Sequence, residues 1–520
     1  MFDVLIAGGL VLDGMGKPVV RADVGIRGDR IEAMGDLAGS AAARVVDARG
    51  KTVCPGFIDV HSHSDGYILI EPSAASKVFQ GVTTEVVGNC GASAAPRVGA
   101  YQMPSDWRAK KYPGAWSSVA EYRALLEQVQ PGVNIVLLIG HNSIRAGVVG
   151  YEARESTPDE LKGMAALLEK ALDEGGAGLS TGLIYAPGMF AARQEIIELA
   201  RVAARKGGIY TSHMRSEGAR LLEAIDESLQ IGRESGVRVE ISHLKTSGRK
   251  NWPLVDAALA RVRDARAAGM DVAADRYPYT AASTDLDVIL PDWASGGGRE
   301  VVLGRLKDSA IRKKIRTELL ASRDATYWTS VLIGSVLSES CRKFQGKPLT
   351  DAASELSMEP VDAALHLMEM DELRTGAIFF GMSEENMWKI LAEPYVMLGS
   401  DASLRAPRGP LGADHPHPRA YGTFPKFLRA AIDGKTVPLP EAVRKMTSLP
   451  ASQFNLKGRG VLKQGAYADV VVFDAQSIAD TATFEKPHQF AKGVEAVIVN
   501  GVLELDRDHL TGRRGGRFVG

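Results

Sequence analysis

The run "VCPGFIDVHSHSD", residues 53–65, couples a β-forming segment to two histidines one residue apart. Side chains alternate faces along a strand, so Asp59, His61 and His63 share one face. That face is a poor core and a good start to a metal site. Seven further runs are built the same way: "GVTTEVVGNCG", "NIVLLIGHNSIR", "GAGLSTGLIYAPG", "GGIYTSHMRSEG", "VRVEISHLKTSG", "GMDVAADRYPYT" and "EPYVMLGSDAS". Each is short, apolar and β-rich, ends in polar residues, and is separated from most of its neighbours by enough chain for a helix. One such helix opens at Thr157-Pro158-Asp159-Glu160, which supplies an N-cap, a proline at N1 and a glutamate at N3. The leucines and alanines of "LKGMAALLEKALDEGG" then recur at helical spacing until Gly175-Gly176 stops them. "EGARLLEAIDESLQIGRESG" and "WPLVDAALARVRDARAAG" repeat the design. Eight strands alternating with helices predict an α/β fold with a parallel sheet, closed as a TIM-like (β/α)8 barrel. An open doubly wound sheet would have no need of a polar residue at every strand end.

The two ends of the chain leave that rhythm. "DVLIAGGLVLDG", "DVGIRGDRIEAMG" and "ARVVDARGKTV" read as strands near the start, and "YADVVVFDA" and "VEAVIVNGVLELDRDHLTG" near the end. A small β-sandwich domain assembled from residues 1–53 and 456–520 is therefore expected around a barrel spanning 54–455. Within the barrel the rhythm lapses at about 284–350, where "LPDWASGGGREVVLGRLKDSAIRKKIRTELL" pairs a glycine run with a basic helix. This reads as an insertion near the barrel mouth, placed to act as a lid.

Bulk properties bound the reading. The 520 residues are 45% hydrophobic, enough to bury a full core, and the formal net charge of -1 argues for neither nucleic acid nor an anionic membrane as partner. No apolar run approaches a membrane span, and Asp3 stands where a secretion signal carries positive charge. With 3 cysteines a disulfide framework is not expected, and a reducing cytoplasm is the simplest compartment. Subunit number is not written in the chain.

In a barrel of this kind the reactive groups gather at the C-terminal ends of the strands. Those ends carry His61 and His63, Cys90, His213, His243 and Asp401, all metal-ligand types. A thiolate with imidazoles suits zinc, whose open position activates water, and Asp401 is placed to take that water's proton and return it to a leaving nitrogen. Any one of these residues is unremarkable at a strand end; the set is hard to explain as packing. Cys54 and Cys341 read as small buried hydrophobes, His141 as supporting or substrate-facing, and His366 as structural. His415 and His417, in a Pro-rich loop, are weak ligand candidates.

"PGFIDVHSHSD", "GVTTEVVGNCG", "TSHMRSE", "ISHLKTSG", "YPYTAAST", "GSDAS" and "HPRAYGTFPKFL" together resemble the amidohydrolase superfamily, and within it the N-acyl-D-amino-acid deacylases, or D-aminoacylases. The ending from Glu441 to Val502 is similar to theirs as well, so the likeness covers nearly the whole chain. It implies zinc-dependent hydrolysis of an N-acyl-D-amino acid to a carboxylate and a free D-amino acid. It also implies one tight zinc on Cys90, His213 and His243, and a second, weaker metal position on His61, His63 and Asp401. Many superfamily members bridge two metals with a carboxylated lysine on the fourth strand; "GAGLSTGLIYAPG" has none.

Lys245 lies two residues after His243, so alternation turns it into the same mouth. The resemblance gives it, with Tyr277 and Ser283, the substrate's α-carboxylate. Arg276 departs from the small or aliphatic residue expected before that tyrosine; alternation faces it away from Tyr277, toward a structural ion pair. Arg405 and Arg408, just past Asp401, either favour acidic side chains or anchor their loop. Two alternatives remain: a cyclic amidohydrolase of hydantoinase or dihydroorotase type, against which Cys90 and the missing lysine weigh, and a non-catalytic scaffold, which would have lost a ligand.

Overall fold

The computed structural model describes residues 1–104, 107 and 110–520. The run that opens at Val53 is divided between two sheets. Thr52–Pro55 pairs antiparallel with Val470–Phe473, whereas Phe57–Asp59, here β1, pairs parallel with Val82–Val87, β2. Gly56 is the crossing point. A Cβ there would fall 2.1 Å from the Thr83 hydroxyl oxygen, so a side chain would hold the strands apart.

The remaining barrel strands are β3 (Asn134–Gly140), β4 (Gly178–Gly182), β5 (Ile209–His213), β6 (Arg238–Ile241), β7 (Val272–Arg276) and β8 (Val396–Leu398). Each of the eight lies within one of the runs identified in the sequence. All neighbours are parallel, in the order β1 to β8, and almost every strand residue is buried, as a parallel sheet covered on both faces requires. A parallel bridge from Ser62 to Ala402 joins the extension of β1 to that of β8, and the Asp401 amide donates to the His61 carbonyl at 2.7 Å. The barrel thus closes at its mouth, between two segments that carry candidate ligands.

The helix Pro158–Asp173 starts with the expected capping box, its Thr157 hydroxyl accepting from the Glu160 amide at 3.3 Å. Leu221–Ser235 and Val255–Ala267 are the two other helices read from the sequence.

Strands from both ends of the chain join in one nine-stranded mixed sheet with its own apolar core, including Ile6, Val24, Ile26, Val470 and Ile498. Between β7 and β8 the chain builds a third unit, whose strands Ala281–Asp285, Val331–Ile333 and Gly376–Phe380 form an antiparallel sheet. Its core of Leu306, Ile315, Trp328, Phe344 and Leu365 is separate from that of the barrel. This unit extends past the interval of about 284–350 at both ends, because its first strand in the chain, Ala281–Asp285, pairs with its last, Gly376–Phe380, over a long separation that no local pattern marks. The basic helix is two, Arg299–Lys307 and Ser309–Ser322, broken at Asp308, whose carboxylate caps the second.

Candidate active site

Each candidate ligand stands at or just beyond the C-terminal end of a barrel strand. His213 ends β5; His61 and His63 follow β1, Cys90 follows β2, His243 follows β6 and Asp401 follows β8. Three of them hold a left-handed backbone, with φ of 53° at Cys90, 38° at His243 and 50° at Asp401. Such conformations are costly for residues with a Cβ and persist where the surroundings impose them. At Cys90 the reason is visible. Gly91 follows at φ 80°, and a Cβ on it would lie 2.2 Å from the Asn142 side chain, so the turn is pressed against the end of β3.

The side chains converge. His61 Nε2 is 3.3 Å from Cys90 Sγ, and Cys90 Sγ is 3.5 Å from His243 Nε2. Asp401 Oδ1 lies 3.1 Å from His63 Nε2 and 3.4 Å from His61 Nε2. Donor atoms of His61, Cys90, His243 and Asp401 all fall within 4.8 Å of one another, and His213, Glu217 and His243 form a second such group. The His213 ring meets that of His243 edge-on at 4.4 Å, and both its nitrogens are buried without a hydrogen-bond partner among the described residues. The grouping cuts across the division expected from the sequence, since His61 sits with Cys90 and His243. Burial pushes the Cys90 thiol up, but His61 and His243 outweigh it and hold the thiol well below its usual range. A thiolate, imidazoles and a carboxylate converging in this way fit a borderline-soft divalent ion.

Behind these groups stands a layer that sequence reasoning did not find. Asp275 Oδ2 lies 3.0 Å from His61 Nδ1, and Glu217 Oε1 lies 2.8 Å from His243 Nδ1. The Asp275 carboxylate so placed fixes the tautomer that turns His61 Nε2 toward Cys90, whereas His243 Nδ1 is shared between Glu217 and Lys245 Nζ, the latter also at 2.8 Å. Glu217 also pairs with Lys245; burial raises its pKa, but Lys245 and His243 bring it well below the usual carboxylate range. Arg419 Nη1 donates to Asp401 Oδ2 at 2.7 Å, and its backbone amide donates to His417 Nδ1 at 3.0 Å. Below them Lys77 is fully buried between Asp59 at 2.7 Å and Glu85 at 3.0 Å, and donates to the Ala402 carbonyl at 3.0 Å. Of the charged residues in this layer, Asp59, Glu85, Glu217 and Arg419 fell within motifs that carried the family likeness, whereas Asp275 and Lys77 lay outside them.

The candidates for substrate contact are distributed as follows. Lys245 Nζ lies 5.9 Å from the centre of the Tyr277 ring. Tyr277 is fully buried, and its hydroxyl has no hydrogen-bond partner among the described residues. Ser283 is half-buried on Ala281–Asp285, and its carbonyl accepts from Arg419 at 3.1 Å. Arg405 pairs with Asp414 at 2.7 Å and stacks on Tyr67, while Arg408 is exposed at the start of a short turn. Arg276 is not turned away from Tyr277 and is in no ion pair among the described residues. Its guanidinium lies 4.3 Å from the Tyr277 ring centre, because alternation ends with β7 and a long side chain can curl back over its neighbour. His141 is engaged by Glu195 at 2.7 Å, and His415 and His417 contact backbone carbonyls through Nε2.

Comparison with known proteins places this geometry in context. A family model described as "Amidohydrolase family" matches residues 44–304 and 392–503. A D-aminoacylase from Alcaligenes xylosoxydans xylosoxydans is 38% identical over 100% of this chain and 97% of its own length. An N-acyl-D-glutamate deacylase from the same organism is 38% identical over 96% of this chain and 93% of its own. The crystal structure of N-acyl-D-glutamate deacylase from Bordetella bronchiseptica, complexed with zinc and a phosphonate inhibitor that mimics the tetrahedral intermediate, aligns with a TM-score of 0.86 at 34% identity. That alignment covers 100% of this chain and 99% of the other. An L-hydantoinase from Arthrobacter aurescens aligns at 18% identity and a TM-score of 0.55, a likeness of fold alone.

Proposed function

The chain belongs to the amidohydrolase family, and on that premise we propose that it is a zinc-dependent deacylase of N-acyl-D-amino acids, releasing a carboxylate and a free D-amino acid. One observation carries the reading: Cys90, His61, His243 and Asp401 converge at the barrel mouth, with Lys245 beside the same histidine. Cys90, His213 and His243 would hold the tight zinc, and His61, His63 and Asp401 would border a weaker position; Cys90 Sγ lies 3.3 Å from His61 Nε2. Bound there, zinc supplies Lewis acidity that polarises the amide carbonyl and makes water a nucleophile near neutral pH.

The chain's own residues do the rest. Asp401, held ionised by Arg419 and His63 against its burial, accepts the proton of the attacking water and passes it to the leaving nitrogen. Lys245, Tyr277 and Ser283 hold the α-carboxylate, so substrate is fixed at two points and only one hand presents its amide to Asp401. The cyclic-amide alternative draws no support from β4, which contains no lysine. No ligand type is missing from the set, which leaves nothing in favour of a non-catalytic scaffold. Among the described residues no helix is long and apolar enough to cross a membrane. We read the protein as cytoplasmic, with a small molecule as its partner; its three cysteines are all free.

The test is amino-acid release by the zinc-loaded protein from matched N-acetyl-D- and N-acetyl-L-methionine, -leucine and -glutamate. Turnover confined to the D series is expected. A protein shown to hold zinc that releases nothing from either series refutes the reading.

A further inference from the structure

Three cations surround the Tyr277 ring. Arg276 Cζ lies 4.3 Å from its centre, Arg419 Cζ 4.6 Å and Lys245 Nζ 5.9 Å. Two of them have carboxylates: Lys245 pairs with Glu217, and Arg419 with Asp401. Arg276 has none. Its Nη2 is satisfied by neutral groups, the Tyr279 carbonyl at 2.9 Å and the Met382 sulfur at 3.1 Å. Its Nε and Nη1 are buried without hydrogen-bond partners among the described residues, and the residue as a whole is 1% exposed. A guanidinium keeps its charge under all ordinary conditions, so it cannot escape the cost of burial by losing a proton. Buried charges are otherwise paired. Tyr277, whose own hydroxyl is unpartnered, is the residue proposed above to meet the substrate's α-carboxylate. Arg276 therefore stands beside that anion-binding position with unused donors on Nε and Nη1, either of which can hold a carboxylate oxygen.

We propose that Arg276 receives a second carboxylate, that of an acidic side chain, and that the preferred substrates are N-acyl derivatives of dicarboxylic D-amino acids, aspartate or glutamate. Sequence identity does not choose here, since the D-aminoacylase and the N-acyl-D-glutamate deacylase are each 38% identical to this chain. Nor do Arg405 and Arg408 fill the role: the first is engaged by Asp414 and Tyr67, and the second is exposed. The inference rests on the deacylase reading, and its test separates the two.

The zinc-loaded enzyme is assayed on N-acetyl-D-aspartate, -D-glutamate, -D-methionine and -D-leucine. The better acidic substrate is expected to exceed the apolar ones in kcat/KM by about tenfold or more, the range of a charged hydrogen bond. In Arg276→Leu the acidic-to-methionine ratio is expected to fall by roughly tenfold to a hundredfold, mainly through KM, with partial recovery in Arg276→Lys. A wild-type enzyme that favours methionine or leucine overturns the proposal while leaving the deacylase reading intact. An unchanged ratio in Arg276→Leu also overturns it, and reduces Arg276 to a support for the Tyr277 ring. If the leucine variant does not fold, competition on the wild type decides: free D-aspartate or D-glutamate should inhibit better than D-methionine, and the reverse order sinks the idea. Failure of all four substrates with zinc bound refutes the deacylase reading itself.

Discussion

Asp401 sits where three local demands meet. Its backbone is left-handed, its amide closes the barrel onto His61, and its carboxylate is shared between Arg419 and His63. Burial alone would raise its pKa; Arg419, His243 and the two neighbouring histidines reverse that and keep it ionised. A base made so weak gains its use from the proton it passes on, so replacing it should affect turnover far more than metal uptake. Asp401→Asn is expected to lower kcat by about 10²–10⁴-fold while the protein keeps one zinc per chain, checked by steady-state kinetics and metal analysis of the same sample. Loss of the tight zinc in this variant would instead make Asp401 a principal ligand.

At the scale of elements, buried charge sets how pieces join. The short helix Ala75–Val78 places Lys77 between Asp59 of β1 and Glu85 of β2, and through the Ala402 carbonyl it reaches past β8. One lysine thus ties both ends of the barrel under the site. A second case lies in the terminal sheet, where Glu504 on Val502–Asp506 is 2% exposed and accepts from the Gly515 amide. Burial, only partly countered by that amide and by Arg514 and Arg513, pushes its pKa up from 4.5 to about 8. Between those values the folded chain keeps a proton that the unfolded chain has released. Stability is therefore full below 4.5 and declines as pH rises through 8. Glu504→Gln lacks this titration. Its melting temperature should match the wild type near pH 5 and exceed it by roughly 2 °C or more near pH 8.5, as read by calorimetry.

For the whole molecule, the metal site exists only when the barrel has closed, because its donors come from the ends of five separate strands. Zinc binding is then also folding energy. Stripping the ion with a chelator should lower the unfolding temperature, and restoring zinc to about 100 times its dissociation constant should return about 2.7 kcal/mol. Cys90→Ala, which removes the sole thiolate near the site, should show a melting temperature that no longer responds to the chelator. A chelator response unchanged in that variant would place the stabilising ion elsewhere.

Much of this was legible from short stretches. The eight strand runs, the capping box at Thr157 and the polar residues at the strand ends depend on neighbours a few positions apart, and those neighbours travel with the chain into any fold. Once the runs imply a closed parallel barrel, their ends must share one rim, so His61, Cys90, His213, His243 and Asp401 could be gathered without coordinates. The partners of those residues could not. Asp275 for His61, Arg419 for Asp401, Lys77 between Asp59 and Glu85, and Arg276 over Tyr277 are matched by closure of the barrel and packing of its loops. A charged side chain in a sequence is most simply read as solvated, and nothing within a helical turn or a strand repeat tells which carboxylate it will meet. Periodicity is a short-range property of the backbone, whereas the pairing of buried charges is a long-range one, settled only when distant strands are brought into contact and water is removed from between them.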